Sequence, residues 1–365
     1  MPQKHILYGT EFSLYTGKVR AYLRYKGIPF EEKLSTLNVY RKVIIPKTGV
    51  RFIPVLQTPD DEYIQDTTDI IDTLEPRFSE RSVYPVNPKQ RLVALLFELL
   101  GDEWLLIPAM HYRWNFPEQN ERFIMGEFGS IIAPWAPAIA RRFAGRQLAK
   151  NFSGMLPMLG ITDKSIPAIE AWYEEFLGQL DTHFAQHSYL LGERASIGDF
   201  GLMAPLYAHL YRDPAPGKLM RRIAPNVARW VERMNQPQPG IGDWLADDEV
   251  PDTLLPILRR QFAEQFPFLQ STADALCHWR TENPNRKIPR SIGTHAFSLG
   301  AVQEQRALIP FSLWMAQRPL DYYASLSGKN RAAVKGFLQS VHGQESMDLG
   351  EYPRVTRRDN RLVFA

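Results

Sequence analysis

The residue of this sequence best placed to do chemistry is Ser13. It follows a short strand-like run, 5–8, that turns at Gly9. It precedes a helix predicted from apolar residues at helical spacing: Tyr15, Val19, Tyr22 and Leu23. The start of a helix offers free N–H groups and the positive end of the helix dipole, and both favour an anion. The hydroxyl of Ser13 can therefore donate a hydrogen bond to a bound anion, or it can simply cap the helix.

Two other stretches carry recognisable local signals. Phe52-Ile53-Pro54-Val55-Leu56 reads as an X-Pro turn that enters a strand, and a turn at 58–61 leads on to Gln65-Asp66, where another helix begins. Much later, Ser196-Ile197-Gly198-Asp199 forms a capping box ahead of a strongly apolar helical segment. From Gln90 onward the apolar spacing is helical. The elements thus predict an α/β segment followed by a helical one.

These three stretches, in this order and at these separations, resemble the cytosolic glutathione transferases. The resemblance covers roughly residues 5–250 and implies a thioredoxin-like N-terminal domain over 1–80, with a four-stranded mixed sheet. An all-helical C-terminal domain follows over 90–250. Residues 251–365 are surplus to the family and are predicted to form a mostly helical extension, with a short hairpin around Asp359-Asn360.

The resemblance also implies glutathione as co-substrate and Ser13 as the catalytic residue. An ordinary thiol has a pKa of about 8.5, so a hydroxyl that donates to the sulfur makes the thiolate available at neutral pH. Tyr15 is the substitute candidate for this role. The Ile53-Pro54 peptide is expected to be cis, with the backbone of Ile53 pairing with the cysteinyl backbone of glutathione.

Gln65-Asp66 departs from the family, whose usual Glu-Ser pair holds the γ-glutamyl group. Gln65 can still bind through its amide, and Asp66 can face the ammonium of the ligand or can serve only as a helix N-cap. A cation for the glycyl carboxylate could come from any of four residues in the preceding loop: Arg41, Lys42, Lys47 and Arg51.

By the same resemblance, a small apolar electrophile would occupy a pocket lined by the first long helix of the second domain. Its candidate residues are Asp102, Leu106, Ala109, Tyr112 and Arg113. A core helix with its aromatic side chains turned inward explains the same residues. His183 and His187, four apart, lack a third metal ligand at a recognisable spacing, so no metal is predicted.

Composition limits the remaining choices. A chain of 365 residues with 44% hydrophobic and 23% charged residues fits a globular protein of two or three domains. A net charge of +3 is too small to indicate nucleic acid, and the longest apolar stretch, 131–140, is too short for a membrane span. A single cysteine, Cys277, and the absence of a leader before Lys4 indicate the cytoplasm.

Two functions follow from these patterns. The first is a glutathione transferase-like enzyme, assembled as a homodimer as members of the family commonly are, that adds or exchanges glutathione sulfur on a small apolar electrophile. The second is a non-catalytic scaffold in which the same fold binds a partner. The Ser13 turn favours the first function, whereas Asp66 and the extension favour the second.

Overall fold

The computed structural model describes residues 4–236 and 242–365. The strands are β1 (His5–Gly9), β2 (Phe30–Leu34), β3 (Val55–Gln57), β4 (Tyr63–Gln65), β5 (Thr294–Leu299), β6 (Val302–Ala307), β7 (Val355–Arg358) and β8 (Arg361–Phe364). The first four form one sheet in the order β2-β1-β3-β4. β1 is parallel to β2 and antiparallel to β3, and β3 is antiparallel to β4. This is the mixed sheet that the sequence predicts.

The helices occupy most of the rest of the chain. They are α1 (Leu14–Lys26), α2 (Leu37–Val39), α3 (Ile45–Thr48), α4 (Thr67–Arg77), α5 (Pro88–Leu99), α6 (Leu106–Trp114), α7 (Pro117–Ile132), α8 (Ala138–Ser153), α9 (Ile166–Phe184), α10 (Ile197–Ala208), α11 (Pro214–Ile223), α12 (Pro225–Met234), α13 (Leu255–Glu282), α14 (Pro310–Ser325) and α15 (Gly328–Ser340). Within 4–236 and 242–365, none of them has both the length and the apolar content that crossing a bilayer requires.

Helix α1 follows its sequence signals closely. Gly27 ends it in the left-handed conformation, with φ of 67°, and its N–H bonds back to the carbonyl of Arg24. Glycine adopts this conformation without the steric cost that a side chain would add. The apolar stripe faces inward, since Val19, Tyr22 and Leu23 are all fully buried. The ring of Tyr22 contacts Phe200 of α10, and its hydroxyl donates a hydrogen bond to Glu75 of α4 at 2.8 Å, so the inward face of α1 packs on these helices.

The chain separates into two compact units. The first comprises Met1–Val83, Ala109–Met155 and Phe200–Ile241, and the second comprises Tyr84–Pro108, Leu156–Asp199 and Gly242–Ala365. These units do not coincide with the sequence ranges 1–80, 90–250 and 251–365, because each unit combines segments that are distant in sequence. The division into those three ranges stays a prediction.

The second unit contains the capping box. Asp199 accepts hydrogen bonds from the backbone and the hydroxyl of Ser196, both at 2.8 Å, and from the backbone of Leu190 at 3.0 Å. The buried carboxylate therefore fixes both the start of α10 and the loop before it. This is the role in folding, rather than in chemistry, that the S-x-x-D pattern predicts.

Residues 251–365, which belong to the second unit, form three helices, α13 to α15, and two hairpins. The β7–β8 hairpin turns at Asp359 and Asn360, with φ of 52° and 60°, as the sequence predicts. The β5–β6 hairpin, which turns at Gly300, was not predicted. Helix α13 packs beneath the end of α5, where Gln261 and Gln265 donate to the carbonyls of Leu96 and Leu99 at 2.8 and 3.2 Å.

Candidate functional site

Three segments of the first unit meet at one edge of the four-stranded sheet. The strand registers align Tyr8 of β1 with Val55 of β3, and Val55 with Gln65 of β4. β1 and β4 therefore end, and β3 begins, at the same edge. The turn that carries Ser13, the Ile53-Pro54 peptide and the start of α4 all lie there as a result, although they are separated by tens of residues in sequence.

Ser13 is the N-cap of α1. Its backbone is extended, with φ of −85° and ψ of 125°, and its Oγ accepts a hydrogen bond from the Thr16 backbone at 3.3 Å. The side chain of Ser13 is half-buried, so it is still reached by solvent. Gly9 permits this tight turn, because a Cβ at that position would lie 2.1 Å from the Thr16 methyl. Tyr15, the substitute candidate, lies half-buried in the first turn of the same helix.

Two buried guanidinium groups hold the backbone of this turn. Arg20 donates to the carbonyl of Thr10 at 3.3 Å, and Arg113 donates to the carbonyl of Phe12 at 3.3 Å. Each arginine is itself fixed by a carboxylate, since Arg20 pairs with Glu32 and Arg113 with Asp213, both at 2.6 Å. Sequence reasoning assigned no role to Arg20, which lies outside the apolar stripe of α1 and is nevertheless fully buried.

Glu11 adds a charged group to the same turn. Its carboxylate accepts a hydrogen bond from the hydroxyl of Tyr207 and lies 3.4 Å from Arg20 and 4.0 Å from Arg212. Burial alone would raise the pKa of Glu11, but Arg20, the Tyr207 hydrogen bond and Arg212 together hold that pKa below its usual range. Burial and the neighbouring Glu11 raise the pKa of Tyr207 to about 12, which keeps its phenol protonated as the donor.

The Ile53-Pro54 peptide is cis, as predicted. Pro54 is buried and Ile53 is half-buried, whereas Phe52 exposes 51% of its surface and Arg51 is exposed. The peptide immediately precedes β3, so the backbone of Ile53 lies at the sheet edge beside the end of β1.

Asp66 occupies the start of α4 in an unusual conformation. Its carboxylate accepts a hydrogen bond from the Thr68 backbone at 2.9 Å, which confirms the interpretation of Asp66 as an N-cap. Its φ of 89° lies in a region that side chains rarely adopt, and such strain often marks a binding site. Gln65, the preceding residue, is buried at the end of β4.

The four candidate cations of the loop are not equivalent. Lys47 pairs with Asp61 at 3.3 Å and lies 4.7 Å above the ring of Tyr63, so it is engaged at the β3–β4 turn. Arg41, Lys42 and Arg51 are exposed. Lys47 is itself exposed and its exposed pair with Asp61 is of a kind that contributes little, so which of the four residues meets a ligand's carboxylate stays a prediction.

The residues predicted to line an electrophile pocket are mostly buried. Ala109, Tyr112 and Arg113 lie in the first unit and expose 0%, 4% and 3% of their surfaces. The guanidinium of Arg113 is occupied by Asp213 and Phe12, which gives it a structural role. Asp102 is buried and Leu106 is half-buried, both in the second unit. That these five residues form a pocket stays a prediction.

His183 is packed inside the second unit. Its ring nitrogens lie 2.7 Å from the Thr253 hydroxyl and 3.2 Å from the Tyr189 carbonyl. Burial lowers the pKa of His183 to about 4, so the ring is neutral at pH 7. In the part of the chain that the structure describes, no group of His, Cys, Asp and Glu side chains is arranged to hold a metal ion.

Comparison with known proteins identifies two domains. The family model of the glutathione S-transferase N-terminal domain matches residues 7–82, and that of the glutathione S-transferase C-terminal domain matches residues 163–237. Among curated proteins, no relative matches the chain in sequence.

Several solved structures are similar over about two thirds of this chain. A glutathione S-transferase from Rhodospirillum rubrum is 16% identical, with 68% of this chain and 96% of that chain covered and a TM-score of 0.42. A glutathione transferase from Phanerochaete chrysosporium is 14% identical, with 66% of this chain and 100% of that chain covered and a TM-score of 0.45. A glutathione S-transferase from Methylobacterium radiotolerans, solved in complex with glutathione sulfonate, is 19% identical, with 67% of this chain and 100% of that chain covered and a TM-score of 0.40.

Proposed function

Because the chain belongs to the glutathione transferase superfamily, we propose that it is an enzyme that adds or exchanges glutathione sulfur on a small apolar electrophile. The observation that carries this proposal is the convergence of two helix N-termini, those of α1 and α4, with the cis Ile53-Pro54 peptide at one edge of the sheet. An anionic sulfur at one helix start and a carboxylate at the other would both be favoured by the helix dipoles.

Ser13 is the residue that would stabilise the thiolate. Its Oγ accepts from the Thr16 backbone, which leaves its own hydrogen available to donate to a sulfur. A hydrogen bond to a charged group contributes about 1.5–3 kcal/mol, which corresponds to roughly one to two units of thiol pKa. Arg20 and Arg113 support this role, because they hold the backbone on both sides of the turn in one position.

The rest of the tripeptide would be held along the same edge. The backbone of Ile53 would pair with the cysteinyl backbone as an added strand does. Gln65 and Asp66 would hold the γ-glutamyl group, with the Asp66 carboxylate directed to the ligand's ammonium. Arg51 would meet the glycyl carboxylate. The negative charge of Asp66 would therefore face the ammonium at one end of glutathione, and the positive charge of Arg51 would face the carboxylate at the other end.

The test is Ser13→Ala, with the thiolate of bound glutathione titrated by its ultraviolet absorbance. We expect the thiol pKa in the variant to rise by about one to two units and turnover at neutral pH to fall roughly tenfold or more, with partial recovery at higher pH. Affinity for glutathione should change little, since the hydroxyl touches only the sulfur.

Ser13→Thr is the matched variant, because it retains both a hydroxyl and a capping oxygen. It should keep a lowered thiol pKa. Identical titration curves for wild type and Ser13→Ala would show that Ser13 only caps α1 and would transfer the role to Tyr15. If calorimetry detects no glutathione binding to the wild type, the scaffold function replaces the enzymatic one.

We also propose that the protein is a cytoplasmic homodimer. A single cysteine in 365 residues is consistent with a reducing compartment, and dimers are typical of the superfamily. Sedimentation at micromolar concentration should give about twice the monomer mass of 42.0 kDa; a mass near 42.0 kDa would contradict the dimer.

A further inference from the structure

Helices α7 and α8 form a hairpin in which the two backbones touch. A Cβ on Gly129 of α7 would lie 1.9 Å from the carbonyl of Arg141, and one on Gly145 of α8 would lie 2.3 Å from the carbonyl of Met125. Ala149 on the inner face of α8 is buried with Phe128 of α7. This close packing fixes which face of α8 points inward and leaves the opposite face outward.

The outward face carries large apolar side chains. Trp135, just before α8, exposes 85% of its surface, and Ile139 and Phe143 on α8 expose 63% and 64%. Ile139 and Phe143 are four residues apart and therefore lie on one line of the α8 surface, and Trp135 lies four residues before Ile139 in the turn that leads into the helix. Soluble proteins rarely leave such a contiguous apolar stripe in water unless it binds something.

The same face continues into basic residues. Arg146 lies three residues after Phe143 and Lys150 lies four residues after Arg146, and both are exposed. Arg146 lies 5.2 Å from the Phe143 ring and 3.6 Å from Glu121, an exposed pair of the kind that contributes little. The outward face of α8 thus has an apolar half and a cationic half. Trp135, Ile139, Phe143, Arg146 and Lys150 together are called the α8 face below.

Charge in this part of the sequence is one-sided. Residues 128–162 contain no Asp or Glu, although the chain as a whole has 40 acidic residues. The same stretch contains four basic residues, Arg141, Arg142, Arg146 and Lys150, so it carries a formal charge of +4. The whole chain carries +3, and the other residues therefore sum to −1. The excess positive charge of this protein is located on one helix.

We propose that the α8 face binds the surface of an anionic lipid bilayer. A helix with exposed Trp and Phe beside Lys and Arg has the composition of segments that lie in the interface of a membrane. At 16 residues α8 is shorter than the ~20 needed to span one. Trp135 sits between Pro134 and Pro137 at the tip of the hairpin, where its ring can enter the headgroup region without moving either helix.

Charge distinguishes the bilayer from the other possible occupant, a second copy of the same face. Two α8 faces brought together would oppose Arg146 and Lys150 of one copy to the same residues of the other, because 128–162 offers no carboxylate and Glu121, outside that stretch, already pairs with Arg146 at 3.6 Å. An anionic lipid surface attracts both of these exposed cations, with roughly a fivefold gain in partitioning for each Lys or Arg near the surface.

Vesicle co-sedimentation of the 365-residue chain tests the proposal. Vesicles of equal parts phosphatidylcholine and phosphatidylglycerol should bind the protein, and vesicles of phosphatidylcholine alone should bind it at least about tenfold more weakly. Added salt should weaken binding to the anionic vesicles. Trp135→Ala/Phe143→Ala and Arg146→Gln/Lys150→Gln should each lower the partition coefficient by about tenfold or more.

Matched controls lie elsewhere on the surface. Val86 is as exposed as Trp135, at 85%, so Val86→Ser removes an equally exposed apolar side chain. Lys329→Gln/Lys335→Gln removes two exposed charges from α15. Neither control should change binding by more than about twofold, and all variants should keep the wild-type circular dichroism, because only exposed side chains change.

Three results would overturn the proposal. The first is no binding of the wild type to anionic vesicles. The second is equal loss in the α8 variants and the controls, which would mean non-specific attraction. The third is a dimer in sedimentation that Trp135→Ala/Phe143→Ala converts to monomer while vesicle binding is unchanged, which would assign the α8 face to a second copy.

Discussion

At the scale of single residues, Asp66 combines a stabilising role with a strained one. Its carboxylate caps α4 through the Thr68 backbone, yet its φ of 89° and ψ of 141° are unfavourable for any residue with a Cβ. Capping contributes about 1 kcal/mol, and strain of this kind costs about 1–3 kcal/mol. The cap therefore offsets only part of the cost of this conformation. The remaining cost is consistent with the binding role proposed above for Asp66.

This balance predicts that Asp66→Gly is more stable than Asp66→Ala by about 1–2 kcal/mol in denaturant unfolding. Both variants lose the cap, but only glycine also removes the strain. Asp66→Asn keeps a capping oxygen and should stay within a few tenths of a kcal/mol of the wild type. Equal free energies of unfolding for the Gly and Ala variants would show that the conformation of Asp66 is not strained.

At the scale of elements, the α7–α8 hairpin depends on two glycines. Gly129 and Gly145 let the helix backbones approach to a distance at which the carbonyls of Arg141 and Met125 fill the space a Cβ would need. Glycine is ordinarily unfavourable in a helix interior by about 1 kcal/mol. The close approach is what compensates for that cost, and it holds the α8 face in a fixed orientation.

Alanine at Gly129 should therefore destabilise the protein, by about 2 kcal/mol or more, because the helices must separate. Gly126, in the same helix, has open space around its Cβ position. Gly126→Ala is the matched control and should instead stabilise the protein by up to about 1 kcal/mol. Denaturant unfolding measures both, and changes of the same sign would show that the hairpin is not packed at Gly129.

At the scale of the whole molecule, the buried His183 links stability to pH. Its pKa is lowered to about 4 by burial, from an ordinary value of 6.5 in the unfolded chain. Between these two values the unfolded state binds a proton that the folded state does not, so acid favours unfolding. The contribution of His183 to stability is complete above pH 6.5, decreases as pH falls below 6.5 and is fully lost once pH has passed through the folded-state pKa of about 4.

For this reason we expect His183→Asn to flatten the dependence of unfolding free energy on pH between 6.5 and 4. The wild type should lose on the order of 3 kcal/mol more than the variant over that range. His295 is exposed, and His295→Asn is the control that should leave the profile unchanged. Parallel profiles for wild type and His183→Asn would mean that His183 titrates normally in the folded protein.

The sequence by itself determined the features that depend on local interactions. The caps at Ser13 and Asp66 and the turn at Asp359-Asn360 were all readable from the sequence, because each depends on a few consecutive residues. The order of these signals carries the resemblance to the glutathione transferases, and that resemblance implied the mixed sheet. It also implied that Ser13, Ile53 and Asp66 contact one ligand, glutathione.

Only the tertiary structure decided which side chains support that edge and which face of each helix is exposed. Arg113 pairs with Asp213 one hundred residues later, and Glu11 meets Tyr207 from a helix nearly two hundred residues away. The α8 face likewise exists because Gly129 and Gly145 bring α7 against the opposite side of α8. Such pairings follow from how segments distant in sequence pack together. Helical periodicity describes each segment alone, so it cannot specify its partner.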